Sequence, residues 1–251
     1  MLLRPFLNAA GSCASYLFGC TTHNNLAVVD PNADLVDEYL AAAAAIGSPI
    51  TAVFETHVQA DHLSGLPALV ERTGATAYLP AASLVEFEHV ALGDGETVEL
   101  GNTIVTAIAT PGHAPAHHAY TVADRRRGDE EPWLVFSGDS LLIGDVGRPD
   151  LHIVGDARGQ ARLLHTSLRR LLELPDHVVL HPSHYGGSVC GRGLSGNPFS
   201  SIGFERSHNP LLALEDPDAF ADALLADVPP RPVDQERIVA ANRAGKVAVP
   251  A

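Results

Sequence analysis

The segment ITAVFETHVQADHLSG, residues 50–65, places an apolar run directly before a loop rich in metal-binding side chains. The apolar run is typical of a buried strand. The loop after it contains His57, Gln59, Asp61 and His62. Imidazoles and carboxylates are the usual protein ligands of zinc and non-haem iron. This arrangement constrains the fold, because a rigid sheet has to hold the loop against other loops that complete a site.

Three further segments end in residues of the same chemistry. TPGH ends at His113, FSGD ends at Asp139, and HPSH contains His181 and His184. Each histidine alone is weak evidence in a chain with 13 histidines, but the four segments together predict a metal site. The other histidines are expected to lie outside it: His23, His89, His117, His118, His152, His165, His177 and His208.

The pattern of apolar residues along the chain predicts two strand-rich halves, each flanked by helices. Strand-like segments include residues 15–20, 26–31 and 50–56. Helical spacing is found at residues 34–46, 157–172, 217–225 and 232–244. This order favours an α/β sandwich of two packed sheets. We expect a single domain over residues 1–251, with a helical extension over about 210–251.

Composition narrows the classes of function. The formal net charge of −14 argues against binding to nucleic acid or to an anionic membrane. No apolar run approaches the roughly 20 residues of a spanning helix. Cys13, Cys20 and Cys190 show no repeated spacing, which favours reduced thiols and a cytoplasmic location. Cys13 and Cys20 are expected to be core residues.

The motifs together resemble those of the metallo-β-lactamase superfamily, in particular its persulfide dioxygenases (sulfur dioxygenases) and their glyoxalase II relatives. The matching segments are AVVDP, THVQADHLSG, TPGH, GDSLLIGDVGRPDL and HPSH. The fourth of these segments is similar to the dioxygenases rather than to typical hydrolases. The resemblance implies a four-layer αββα metallo-β-lactamase sandwich. It also covers relatives that carry a fused rhodanese domain, and no rhodanese domain is expected in this chain.

The resemblance implies two different uses of these residues. In a dizinc hydrolase, the loop histidines and His113 would hold one metal, while Asp61, His62 and His184 would hold another, with Asp139 bridging. Gln59 replaces one of those histidines, and an amide is a weak zinc ligand. In a dioxygenase, one Fe(II) per chain would be held by His57, His113 and Asp139, all of which are present.

The expected reaction is oxidation of a low-molecular-weight thiol persulfide by O2 to sulfite and free thiol. Asp61, His62 and His184 are expected around the iron, where they would orient its ligands or hydrogen-bond its water. Arg148, Tyr185 and Cys190 are predicted to contact the substrate. Arg148 and Asp150 are also expected to pair beneath the Asp139 loop, either as a support of the site or as a structural salt bridge.

Other functions remain open from the sequence. One is a zinc-dependent thioester hydrolase of glyoxalase II type, including a version with a single zinc at Asp61, His62 and His184. Another is a metal- or thiol-binding protein without catalysis, which the substitution at Gln59 would explain. A separate sulfurtransferase of rhodanese type is a hypothesis for a partner, and the two C-terminal helical patterns could form a contact in a homo-oligomer, although the sequence leaves the oligomeric state open.

Overall fold

Two six-stranded β-sheets pack face to face in the computed structural model. The structure describes residues 1–9, 12–128, 131–186, 196–228, 230–232 and 234–246. The first sheet has the strands in chain order, and its first three strands are antiparallel while the third to sixth are parallel. Its strands are β1 (Leu2–Asn8), β2 (Cys13–Cys20), β3 (Asn25–Val29), β4 (Ile50–Phe54), β5 (Thr76–Pro80) and β6 (Val90–Leu92).

The second sheet uses the second half of the chain. Its strands are β7 (Thr97–Leu100), β8 (Thr103–Ala109), β9 (His118–Asp124), β10 (Pro132–Gly138), β11 (Val179–Pro182) and β12 (Ser200–Ser201). Strands β10 and β11 are parallel, and the other neighbours are antiparallel. Consequently β8, β10 and β11 run in the same direction, and their C-terminal ends meet at one edge of the sheet.

Aromatic side chains fill the space between the two sheets. Phe54 of the first sheet lies edge-on to Tyr120 of the second, with ring centroids 5.3 Å apart. Phe18 and Tyr16 lie 4.8 Å and 5.1 Å from the ring of Phe136. All five rings are buried. This explains the apolar character of β2, CASYLFGC, which is buried at every position.

The described residues form seven α-helices, several of which cover the two outer faces of the sandwich. They are α1 (Val36–Ile46), α2 (Leu66–Thr73), α3 (Arg125–Gly128), α4 (Ala157–Leu171), α5 (Ile202–His208), α6 (Pro217–Leu225) and α7 (Gln235–Arg243). Helices α1 and α2 pack on the first sheet, through Tyr39 and Leu69 among others. Helices α4 and α6 pack on the second sheet, through Leu164 and Phe220. The predicted α/β sandwich, with layers in the order αββα, is confirmed.

The helix predicted at residues 34–46 differs in its first turn. Residues Ala33–Leu35 form a 3-10 turn, and α1 proper begins at Val36. The side chain of Asn32 accepts a hydrogen bond from the amide of Asp34 and so caps this turn. The C-terminal end is as predicted, because Gly47 adopts a φ of +76° and its amide satisfies the last carbonyls. Among the described residues, no helix has the length and apolarity needed to cross a membrane.

Candidate metal centre

Three side chains from three loops meet at one edge of the sandwich. His57 follows β4, His113 follows β8, and Asp139 follows β10. One ligand atom from each lies within 4.8 Å of the others. The Oδ2 atom of Asp139 is 3.6 Å from Nε2 of His113 and 4.0 Å from Nε2 of His57. All three are buried, so the group is sheltered from bulk water.

Hydrogen bonds at the opposite nitrogens set the tautomers of both imidazoles. Nδ1 of His113 lies 2.9 Å from the carbonyl oxygen of Arg148, which can only accept, so Nδ1 donates and Nε2 keeps its lone pair. Nδ1 of His57 lies 2.9 Å from Oγ1 of Thr56. That hydroxyl donates to the carboxylate of Asp30 at 2.9 Å, so it accepts from His57. Both Nε2 atoms are therefore available to a metal ion.

Asp30, from the AVVDP segment, anchors the loop that carries His57. Its carboxylate accepts from the backbone amide and hydroxyl of Thr56, and from the hydroxyl of Ser183. It stands in the left-handed region, with a φ of +49°. These contacts connect the ends of β3, β4 and β11. The carboxylate thus fixes the first histidine loop relative to the loop of His184.

The electrostatics of the three residues suit a divalent cation. Burial lowers the pKa of His57 well below its ordinary value, and it lowers the pKa of His113 as well. Burial alone would raise the pKa of Asp139, but the charge and hydrogen bond of His184 outweigh it and lower that pKa. Two neutral imidazoles beside an ionised carboxylate are the protonation states that a metal requires. The donor set therefore fits a metal ion.

A second cluster adjoins the first and contains the other predicted residues. It consists of Asp61, His62 and His184, together with Cys13, with one ligand atom of each within 4.8 Å of the others. His184 links the two groups. Its Nδ1 lies 2.7 Å from Oδ1 of Asp139, and its Nε2 lies 2.7 Å from Oδ2 of Asp61.

Cys13 corrects an expectation from the sequence. It is buried, as expected, but its Sγ atom lies 3.4 Å from Nε2 of His184 and 3.6 Å from Nδ1 of His62. Burial raises the pKa of the thiol, but hydrogen bonds from both histidines outweigh this and lower it. The contact joins residues 171 positions apart. No local pattern around Cys13 could have indicated it.

His117 was expected outside the site and instead supports it. Its ring stacks on that of His57, with centroids 4.9 Å apart and planes at 26°. Its Nε2 accepts a hydrogen bond from the amide of Asp139 at 3.1 Å, and its Nδ1 lies 2.8 Å from Oγ1 of Thr110. The ring is buried and its pKa is lowered by that burial. His117 therefore holds the Asp139 loop against the TPGH loop.

His152 also lies at the centre, contrary to expectation. Its ring centroid is 5.8 Å from that of His113 and 6.4 Å from that of His57. Burial lowers the pKa of His152 to about 3, so the ring is neutral. The HPSH motif made His181 a candidate residue of the metal site. In the structure it packs instead against Tyr16 and Phe136 in the inter-sheet core.

The remaining predicted residues have varied surroundings. Arg148 forms a buried bidentate pair with Asp150, at 2.8 Å and 2.9 Å, so the predicted pairing is confirmed. Tyr185 is half-buried and packs against the inter-sheet core. Cys190 lies outside the described residues. Substrate contacts of these three residues stay predictions.

Gln59 is buried beside Glu55, Ser64 and Asn242, where these residues line a space of about 10 Å³. Within the described part of the chain, neither polar atom of its amide has a hydrogen-bond partner. The backbone carbonyl oxygen of Gln59, by contrast, accepts a hydrogen bond from the side chain of Asn242 at 3.0 Å.

A larger cavity of about 520 Å³ lies between the loop of His152 and α7. Its lining includes three arginines, Arg231, Arg237 and Arg243, and one acidic residue, Glu236. The cavity is thus cationic, in contrast with the net charge of the whole chain.

Comparison with known proteins assigns the family. The sequence profile of the metallo-β-lactamase superfamily matches residues 9–184 of this chain. The match covers more than half of the chain, so the chain belongs to this superfamily.

Individual relatives include both hydrolases and a dioxygenase. The chain is 30% identical over 216 residues to a "probable metallo-hydrolase" of Burkholderia pseudomallei, covering 73% of this chain and 72% of that protein. It is 32% identical over 170 residues to hydroxyacylglutathione hydrolase of Pseudomonas entomophila, covering 67% of this chain and 60% of that enzyme. It is 24% identical over 217 residues to the mitochondrial persulfide dioxygenase ETHE1 of Mus musculus, covering 85% and 77% respectively.

Two solved structures are similar over nearly the whole chain. ETHE1 from Myxococcus xanthus has a TM-score of 0.85 and 31% identity, covering 97% of this chain and 99% of that one. A metallo-β-lactamase from Staphylococcus aureus has a TM-score of 0.90 and 28% identity, covering 100% of this chain and 74% of that one.

Proposed function

We propose that the protein is a persulfide dioxygenase with one Fe(II) per chain, held by His57, His113 and Asp139. The observation that carries this proposal is the contrast between the two potential donor sets. The two-histidine, one-carboxylate set is complete and converges within 4.8 Å, whereas the first set of a dizinc site would need an imidazole where Gln59 stands.

The three residues fit Fe(II) because of their protonation states and because neighbouring side chains hold them in place. His57 and His113 present neutral Nε2 atoms, and Asp139 presents a carboxylate. Bound ferrous iron would supply open coordination positions and electrons for a reaction between O2 and a sulfur anion. His117 and His184 hold Asp139 in place through its amide and its carboxylate.

The proposed overall reaction is R–S–SH + O2 + H2O → R–SH + sulfite + 2 H⁺. The terminal sulfur of the persulfide is oxidised, O2 is reduced, and the sulfur–sulfur bond breaks to release the thiol. The chain's own task is to orient the persulfide and to exclude unwanted water from the buried centre. Asp61, His62 and His184 provide proton donors and acceptors next to it.

The similarity to both ETHE1 proteins supports this activity, and the Myxococcus xanthus structure matches nearly end to end. We also propose a reducing, cytoplasmic setting, which suits the reduced thiols of Cys13 and Cys20. A sulfurtransferase that delivers the persulfide as a separate protein stays part of the proposal.

A second candidate is a zinc-dependent thioester hydrolase of glyoxalase II type. The observation that favours it is the second cluster, where Asp61, His62, His184 and Cys13 offer four donor atoms close together. The 32% identity to a hydroxyacylglutathione hydrolase points in the same direction. Gln59 weighs against a complete dizinc centre.

The two candidates are separated by a paired assay on protein loaded with iron or with zinc. The dioxygenase predicts oxygen uptake by the iron form with glutathione persulfide or coenzyme A persulfide, matched by sulfite. It predicts no turnover of S-lactoylglutathione by either form. Thioester hydrolysis by the zinc form, without oxygen uptake by the iron form, would establish the hydrolase instead.

A further inference from the structure

His152 occupies the boundary between the metal centre and the cationic cavity. It follows the GRPD loop, two residues after Asp150. On one side its ring lies edge-on to His113 and His57, at interplanar angles of 74° and 80°. On the other side it lines the cavity of about 520 Å³ together with Arg231 and Arg243.

The ring nitrogen Nε2 of His152 is buried and has no hydrogen-bond partner among the described residues. Leaving a buried polar atom without a hydrogen-bond partner destabilises the folded protein. The other imidazoles of the centre, those of His57, His113 and His117, all have hydrogen-bonded Nδ1 atoms. Because the side chain of His152 also lines the cavity, a molecule that enters from there can supply the missing partner.

His152 is not placed as a ligand of the metal. The three residues of the triad have ligand atoms within 4.8 Å of one another, and His152 does not belong to that group. Its position at the cavity mouth suits contact with a molecule that reaches the metal from the cavity.

The cavity contains hydrogen-bond donors that could hold such a molecule. Arg231 is paired with Asp150, at 3.6 Å, whereas Arg243 forms no ion pair within the described residues and its Nε is buried without a partner. Arg243 and His152 therefore both present unsatisfied nitrogen atoms at this end of the molecule. A small polar ligand in the cavity would satisfy both.

We propose that His152 is a substrate-positioning residue, whose Nε2 hydrogen-bonds the sulfur of the thiol or persulfide as it passes from the cavity to the metal centre. The identity of the ligand rests on the proposed function. The role of the residue does not, because a thioester substrate would use the same entrance. The loop HVQADH has Gln59 where related loops have a histidine. His152 places a different imidazole near His57 and His113, from the loop after β10.

The test measures binding rather than turnover. Reduced glutathione, and then coenzyme A, is titrated by calorimetry into anaerobic metal-loaded protein as probes of the site. The variants are His152→Ala, His152→Gln, which keeps a hydrogen-bonding group, and His152→Phe, which keeps the ring volume alone. His208→Ala, at an exposed histidine on α5, is the matched control.

We expect at least one probe to bind the parent protein. We expect His152→Ala and His152→Phe to weaken binding at least about fivefold, as loss of a buried hydrogen bond implies. His152→Gln should recover most of the affinity, and metal content should be unchanged in all variants. A purely structural role predicts rescue by Phe and not by Gln.

Equal affinity of the parent protein and His152→Ala, or no binding of either probe to the parent, would overturn the proposal. Failure of the dioxygenase assignment gives a different result. In that case the parent protein binds thiol through His152 but consumes no oxygen with any persulfide.

Discussion

At the scale of single residues, His184 shows how the centre is organised. Both of its ring nitrogens face carboxylates, with Asp139 on one side and Asp61 on the other, each at 2.7 Å. The ring therefore fixes the orientation of the Asp139 carboxylate that faces His57 and His113. This geometry makes His184 a supporting residue in the one-iron arrangement and a ligand only in the zinc arrangement.

Glu55 gives a prediction at the same scale. The side chain is buried, its Oε1 accepts from the hydroxyl of Ser64, and its Oε2 has no partner among the described residues. Burial raises the pKa of Glu55 well above its ordinary value, and the nearby Asp30 adds to this. The folded state thus favours the protonated acid, so this residue's contribution to stability falls as pH rises above about 4.5, its unfolded pKa.

The variant Glu55→Gln removes that ionisation. In metal-free protein, urea unfolding at pH 5 and pH 8 should show a smaller loss of stability between the two values for the variant than for the parent. Equal losses in both proteins would show that Glu55 is ionised without cost in the folded state.

The residues of the triad were predictable, and several of their supports were not. His57, His113 and Asp139 stand at the ends of apolar runs within distinctive motifs, so sequence alone suggested that they meet. Cys13, His117 and His152 have no such local pattern. They reach the centre because β2 lies beside the His184 loop and because the loops after β8 and β10 fold over each other.

At the scale of elements, the loops depend on close packing against the helices. Gly112, directly before His113, has a φ of +133°, and a Cβ atom there would lie 2.4 Å from the backbone nitrogen of Leu164 in α4. Gly112→Ala should therefore push the His113 loop away from α4. We expect lower thermal stability and reduced metal content.

The control is Gly95→Ala, at a φ of +80° where a Cβ atom meets nothing within 4 Å. This substitution should lower stability only by the cost of placing a non-glycine residue at positive φ, about 1–2 kcal/mol. If Gly112→Ala were no worse than Gly95→Ala in both measurements, α4 would not constrain the loop.

The Arg148–Asp150 pair supports the loop after β10 in a second way. Arg148 is buried and Asp150 is partly buried. Nη1 of Arg148 donates to the carbonyl oxygen of Pro230 at 3.3 Å, and the backbone carbonyl of Arg148 orients His113. Arg148→Leu should cost about 1.5–3 kcal/mol in urea unfolding, because it removes two charge-assisted hydrogen bonds to Asp150, which then keeps only the more distant Arg231 as a charged partner among the described residues. It should also weaken metal binding through His113.

Arg72→Leu is the matched change in an exposed pair with Asp37, where both side chains are largely in solvent. It should cost less than about 1 kcal/mol. Similar losses for the two variants would mean that burial adds nothing to the Arg148 pair.

Element boundaries were partly readable from the sequence. Residues 217–225 were predicted as a helix and form α6 with those bounds, since Asp216 caps it and Pro217 occupies its first position. The start of α1 was placed too early, because the capping side chain is Asn32 and a 3-10 turn comes first. The register of the two sheets depends on long-range pairing, which apolar periodicity does not encode.

At the scale of the whole molecule, the charged residues are distributed unevenly. The chain carries a formal net charge of −14, yet the cavity beside the metal centre is lined by three arginines. The two sheets bring the loop after β4 against the loops after β8, β10 and β11, so both sheets contribute to the centre. The family and its αββα fold follow from the order of the motifs, whereas the cavity depends on α7 and could not be anticipated.

The most direct test of this account is the metal content of the purified protein and of two variants, measured by elemental analysis after growth with iron and zinc supplied equally. We predict about one iron per chain in the parent protein, loss of iron in His113→Ala, and retention of most iron in His184→Ala. Zinc that is retained in His113→Ala but lost in His184→Ala would place the metal in the second cluster and contradict the account.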